Sequence, residues 1–115
     1  MDSMFELEDA CLTIRLPKEV DHPVSDHIRK DTDKRMGNTY IRTMIFDFSE
    51  TGFMDSSGIG LIMGRDKALG LRPGCGWAVH VNPHIDKLLR MSGLHRYVKI
   101  QKIREQEGVY DGEYQ

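Results

Sequence analysis

Apolar and polar residues alternate at the start of the chain, where Met4-Phe5-Glu6-Leu7 and Cys11-Leu12-Thr13-Ile14-Arg15-Leu16 flank Glu8-Asp9. A period of two puts the apolar side chains on one face, so these segments predict a β-hairpin with a single buried side. After Pro17 a loop runs to Asp21-His22-Pro23, and the spacing of Val24, Ile28 and Met36 then predicts a helix over 24–36 with a thin apolar stripe, ended by Gly37-Asn38. Thr43-Met44-Ile45-Phe46-Asp47-Phe48 is a β-branched and aromatic run inside a predicted strand over 41–48, with Glu50-Thr51-Gly52 as a short loop behind it. Residues 59–69 are long enough for a helix that closes where Gly70 can take the left-handed cap, and Gly70 to Gly76 with Pro73 reads as a loop. Trp77 to Val81 predicts a strand, and Asn82-Pro83 opens a helix through Ile85, Leu88, Leu89 and Met91 that Gly93 caps, with Leu94 making the accompanying apolar contact. Tyr97-Val98-Lys99-Ile100 predicts a last short strand. Strands separated by helices need crossovers and pair in parallel, whereas a hairpin is antiparallel, so the pattern predicts an α/β domain with a mixed β-sheet and packed helices.

At 115 residues, with 39% apolar and 30% charged side chains, the chain is long enough for one core and too short for two. No repeat or linker divides it, so a single domain is expected over 1–103. Residues 104–115, polar and carrying four acidic residues with Gly108 and Gly112, are expected to form a flexible tail. The net charge of -2, with Asp26, Arg29, Lys30, Asp31, Asp33, Lys34 and Arg35 mixed along one helix, predicts a solvated face. It also predicts no attraction to nucleic acid or membrane lipid. The start Met1-Asp2-Ser3 leads into no secretory pattern and no run reaches membrane-spanning length, so a cytoplasmic protein is expected. Cys11 and Cys75 lie beside apolar strand-like segments and read as small buried hydrophobes. No broad apolar patch is foreseen, which favours a monomer when free.

Candidate chemistry concentrates in Phe53-Met54-Asp55-Ser56-Ser57-Gly58-Ile59-Gly60, where a strand turns into a helix. The first N–H groups of a helix lack partners and carry partial positive charge, so an anionic group is tolerated there. Asp55 or Ser56 can cap the helix, leaving the Ser57 hydroxyl free and exposed; Asp and Ser before a helix are also ordinary caps. Gly60 and Gly64 lie four apart, each lowering helix stability by about 0.8 to 1 kcal/mol relative to alanine, which either close packing on the sheet or approach of a partner backbone can explain. Ile59, Ile62 and Met63 are expected in the core and Leu61 and Arg65 on a more exposed side. As an enzyme the chain offers little: there is no Gly-x-Ser-x-Gly elbow, His22, His27, His80, His84 and His95 have no triad context, and Asn82-Pro83 keeps His80 and His84 off one helical face. The glycines fit neither a dinucleotide fingerprint nor a phosphate-binding P-loop, so no cofactor or metal is expected.

Asp47 through Lys67, with Asp21-His22 upstream and Met91-Ser92-Gly93-Leu94 downstream, resembles the STAS family, and within it the anti-sigma factor antagonists of bacterial partner-switching circuits. The resemblance spans roughly residues 4 to 101. It implies a single STAS domain whose Ser57, the second serine of Asp-Ser-Ser-Gly, is phosphorylated by a cognate serine kinase that is also the anti-sigma factor, with a serine phosphatase resetting it. It also implies that the acidic Asp21 lies close to that serine, although a capping role for Asp21 stays equally open. Asp21, Asp55, Ser56, Ser57, Gly58, Leu61 and Arg65 are the expected partner contacts. The resemblance also implies a further C-terminal helix, common in the family, for which the polar residues 104–115 are not expected to supply a counterpart. A STAS domain serving another partner switch or sensing a small ligand is the alternative.

Overall fold

Asp9 and Ala10 both adopt positive φ, 52° and 64°. That is the twist a two-residue hairpin turn requires, and it pairs β1 (Phe5–Glu8) antiparallel with β2 (Cys11–Arg15), Phe5 opposite Ile14. The computed structural model describes residues 4–103, so the tail expected at 104–115 lies outside the described residues. The chain continues through β3 (Glu19–Val20), α1 (His22–Asn38), β4 (Thr43–Asp47), β5 (Phe53–Met54), α2 (Ser56–Ala68), β6 (Gly76–Val81), α3 (Pro83–Met91), a 3-10 turn at Leu94–Arg96 and β7 (Lys99–Lys102).

The main sheet has the order β1-β2-β4-β6-β7, with every pair after the hairpin parallel, which is the mixed α/β sheet that the spacing of elements predicts. Register aligns Leu12 and Ile14 with Met44 and Phe46, and Phe46 with Ala78. These buried residues join Ile28, Leu61, Ile62, Ile85 and Leu89 in one core. Each of the Leu, Ile, Met and Phe side chains contributes about 1.5 to 3 kcal/mol when fully buried.

Helix boundaries follow the caps more closely than the apolar stripe. Asp21 accepts the Val24 N–H at 3.2 Å and Pro23 sits in the first turn, so α1 starts two residues before the predicted 24 and runs past Gly37 to Asn38. Gly70 takes φ +90° after α2 and Gly93 φ +82° after α3, as their positions in the sequence predict. Because residues 94–96 then form a 3-10 turn, strand pairing starts at Lys99 instead of Tyr97. Cys75 is buried as expected, whereas Cys11 is only half-buried.

One feature escaped the pattern of the sequence. β3 and β5 pair in parallel as a separate two-stranded sheet, Val20 beside Met54, with the Asp55 N–H on the Val20 carbonyl at 3.1 Å. The residue after each strand caps a helix, so this small sheet sets the starts of α1 and α2 side by side.

Candidate functional site

Asp55 caps α2. Its carboxylate Oδ1 accepts the Ser57 N–H at 2.8 Å and the Ser57 hydroxyl at 2.5 Å. Ser57 Oγ also lies 3.0 Å from Ser25 Oγ on α1. An ionised carboxylate only accepts, so the single Ser57 hydroxyl hydrogen goes to Asp55 and Ser25 donates to Ser57. The Ser57 hydroxyl is therefore held between two neighbours and half-buried, not free as the sequence suggests. It lines a cleft of about 300 Å³. α1 contributes His22, Ser25, Asp26 and Arg29 to this cleft, and α2 contributes Ser57, Gly60 and Leu61.

The Ser57 hydroxyl, followed by the N–H groups of Ser57 and Gly58 and the charge of His22, outweighs desolvation and holds the Asp55 carboxyl below its ordinary value. A depressed carboxyl stabilises the fold above its unfolded value of about 3.9, and that contribution disappears as pH falls through the lowered folded value. Asp55→Asn keeps a capping oxygen and removes the charge. Urea unfolding is therefore expected to show wild type more stable than Asp55→Asn at pH 7, with the difference shrinking below pH of about 4.

The β3–β5 register brings Asp21 beside Asp55, half-buried and engaged as the cap of α1. Ser56 is exposed. Gly58 is buried, and a Cβ there would clash with the Met54 side chain and crowd Val20 Cγ1 at 3.2 Å, so packing favours glycine. Leu61 and Arg65 reverse their expected placement, being only 5% and 7% exposed. α1 packs on this side of α2, where Arg65 Nη1 donates to Thr32 Oγ1 at 3.0 Å and Asp33 Oδ1 at 2.5 Å. Ile62 is in the core as predicted, and Ile59 and Met63, half-buried, pack against it.

Gly60 and Gly64 separate from Gly58. A Cβ at either meets nothing within 4 Å, so packing on the sheet does not explain them. Gly60→Ala is expected to stabilise the free domain by about 0.8 to 1 kcal/mol in denaturant unfolding, the full helix-propensity gain.

The sequence reading does not place any α1 residue in a cleft with Ser57. His22, Ser25 and Arg29 share with Asp26 the spacing i, i+3, i+4, i+7, one face of α1, which the mixed charges had assigned to solvent. Arg29 pairs with Asp26 and, at 4.0 Å, with Asp33; Lys30 also reaches Asp26, at 3.1 Å. Lys30 and then Arg29 hold the Asp26 carboxyl below its ordinary value. His80 likewise has an unforeseen partner: it adopts φ 57° and sets Nδ1 2.8 Å from Asp47 Oδ1. Among the described residues no acidic, histidine or cysteine cluster could hold a metal ion, and no helix is long and apolar enough to cross a membrane.

The STAS domain family matches residues 3–107. The anti-sigma F factor antagonist of Paenibacillus polymyxa is 34% identical over 102 residues, covering 87% of both chains. That of Lysinibacillus sphaericus is 32% identical over 83 residues, covering 72% of this chain and 71% of the relative. The anti-sigma factor antagonist SpoIIAA in its unphosphorylated form superposes with a TM-score of 0.69 at 29% identity, covering 84% of each chain. The Bacillus cell fate determinant SpoIIAA in the phosphorylated form gives 0.68 at 30% identity, covering 84% of this chain and 87% of that one.

Proposed function

We propose that this chain, which belongs to the STAS domain family, is an anti-sigma factor antagonist whose anti-sigma partner is also the serine kinase that modifies Ser57. The observation that carries this reading is the Ser57 hydroxyl at the start of α2, oriented by Asp55 at the edge of an open cleft. Support also comes from relatives named anti-sigma F factor antagonists and from likeness to SpoIIAA in both unphosphorylated and phosphorylated forms.

Unmodified, the chain holds the anti-sigma factor through a face that includes Asp21, Asp55, Ser56, Ser57 and the open backbone at Gly60 and Gly64. Phe53, 48% exposed just before the motif, adds apolar area. Kinase action moves the γ-phosphoryl group of ATP onto Ser57 Oγ, which gives up its proton as ADP leaves. The product carries about -1.5 to -2 added charge beside Asp55 and Asp21. A surface that accepted a neutral hydroxyl then meets steric conflict and like-charge repulsion, and the partner is released without refolding of the domain. A serine phosphatase restores the binding form. The chain is a substrate and a ligand in this cycle, not a catalyst, and it works in the cytoplasm.

Incubation with the cognate anti-sigma kinase and ATP tests this. Intact mass is expected to rise by one phosphate in wild type and in Ser56→Ala but not in Ser57→Ala; modification that persists in Ser57→Ala overturns the site. Gly60→Ala is expected to weaken binding of that partner at least about tenfold, 1.4 kcal/mol, despite stabilising the free chain.

A further inference from the structure

We infer that Arg29 is the internal counter-charge of phosphorylated Ser57: its guanidinium leaves Asp26 and takes the phosphoryl oxygens across the α1–α2 cleft, with the Ser25 hydroxyl as a second donor. The inference rests on the reading of Ser57 as the modified serine.

Ser57 faces the α1 stripe that bears Ser25, Asp26 and Arg29. The cleft, about 300 Å³, has room for a phosphoryl group because Gly60 contributes no side chain. Once esterified, Ser57 Oγ has no hydrogen for Asp55. The Ser25 hydroxyl, 3.0 Å from that oxygen and on a residue only 5% exposed, already points toward the place where phosphoryl oxygens arrive.

Charge decides which cation answers. The phosphoryl group meets the carboxylates of Asp55, which bonds Ser57, and of Asp26, which lines the cleft. Asp21 and Asp55 directly follow Val20 and Met54, the paired last residues of β3 and β5. Arg29 lines the same cleft, and His22 adds a ring N–H donor. Of the two cations on Asp26, Arg29 lines the cleft and Lys30 does not, and Arg29 can move without leaving a carboxylate unpaired. Asp26 keeps Lys30 at 3.1 Å, and Asp33, 4.0 Å from Arg29, keeps Arg65 at 2.5 Å. A dianion attracts the guanidinium more strongly than a monoanionic carboxylate does, and the planar fork matches two phosphoryl oxygens. Modification then does more than add charge: it dismantles the Asp26–Arg29 pair that the unmodified surface presents.

The test uses the full chain with phosphoserine inserted at position 57 during translation, independent of any kinase, and 31P NMR titration of its second ionisation. In the otherwise wild-type chain this ionisation is expected about one pH unit below that of Arg29→Gln, the shift that a close opposite charge produces. Arg29→Lys is expected to fall between the two, and Ser25→Ala to shift a smaller distance upward. Lys34→Gln, which removes a cation of α1 outside the cleft, is expected to leave the value unchanged. Equal values in wild type and Arg29→Gln, or an equal shift from Lys34→Gln, overturn the inference. Kinase modification of a different serine would defeat the reading of Ser57 while leaving this titration intact, so the two failures are distinguishable.

Discussion

Ser57→Asp is expected to bind the anti-sigma factor at least about a hundredfold more weakly than wild type, roughly 2.7 kcal/mol, while Ser57→Ala stays within about threefold. The asymmetry comes from what surrounds the side chain. Ser57 donates to Asp55 at 2.5 Å. An aspartate there replaces that donor with a second carboxylate, and the repulsion, together with desolvation of the new charge under a docked partner, acts on the complex far more than on the open free surface. Alanine removes the hydroxyl and introduces no charge, leaving Ser25 to turn toward water in the cleft. Full phosphorylation adds nearly twice the charge of aspartate and a larger group, so its expected loss is about a thousandfold, near 4 kcal/mol. Isothermal titration of the three chains with one anti-sigma preparation measures the series. Equal affinities for Ser57→Asp and Ser57→Ala would contradict the electrostatic account.

The second large effect concerns stability. Arg65→Ala is expected to lower unfolding free energy by about 2 to 3 kcal/mol, because it removes a buried guanidinium that ties α2 to Thr32 and Asp33 of α1 and leaves a void between the helices. Asp33 is 54% exposed and can turn to water, which keeps the loss below that of breaking a fully buried pair. Arg65→Met refills the space with an unbranched apolar chain and is expected within about 1 kcal/mol of wild type. Urea midpoints of the two variants separate packing from charge. If both lose the same amount, the charged contacts to α1 carry the stability and the packing explanation fails.

Arg65 also shows how far a single sequence can be read. The hairpin, the parallel strands and both left-handed glycine caps were legible because alternation, strand-length apolar runs and positive φ are local demands that local residues meet. The position of α1 across α2 is not local. A thin stripe at Val24, Ile28 and Met36 says that α1 packs somewhere, but not that Thr32 and Asp33 meet Arg65, so helical spacing alone places Leu61 and Arg65 outward although they face a neighbour. The two-residue strands β3 and β5 are too short to show a period, yet their pairing brings the Asp21 and Asp55 caps together. For the same reason the sequence pointed to Ser57 itself while missing Ser25 and Arg29, whose relevance depends on the face that α1 turns toward α2. Gly60 and Gly64 stood undecided between packing and partner contact in the sequence; the empty space at both positions argues against packing.

The most direct measurement compares one purified preparation before and after stoichiometric modification of Ser57 by its anti-sigma kinase, titrated against the same anti-sigma factor by calorimetry. Tight binding before and a loss of about a thousandfold after, with unchanged far-UV circular dichroism, is the predicted result. Undiminished binding by the fully phosphorylated chain would contradict it.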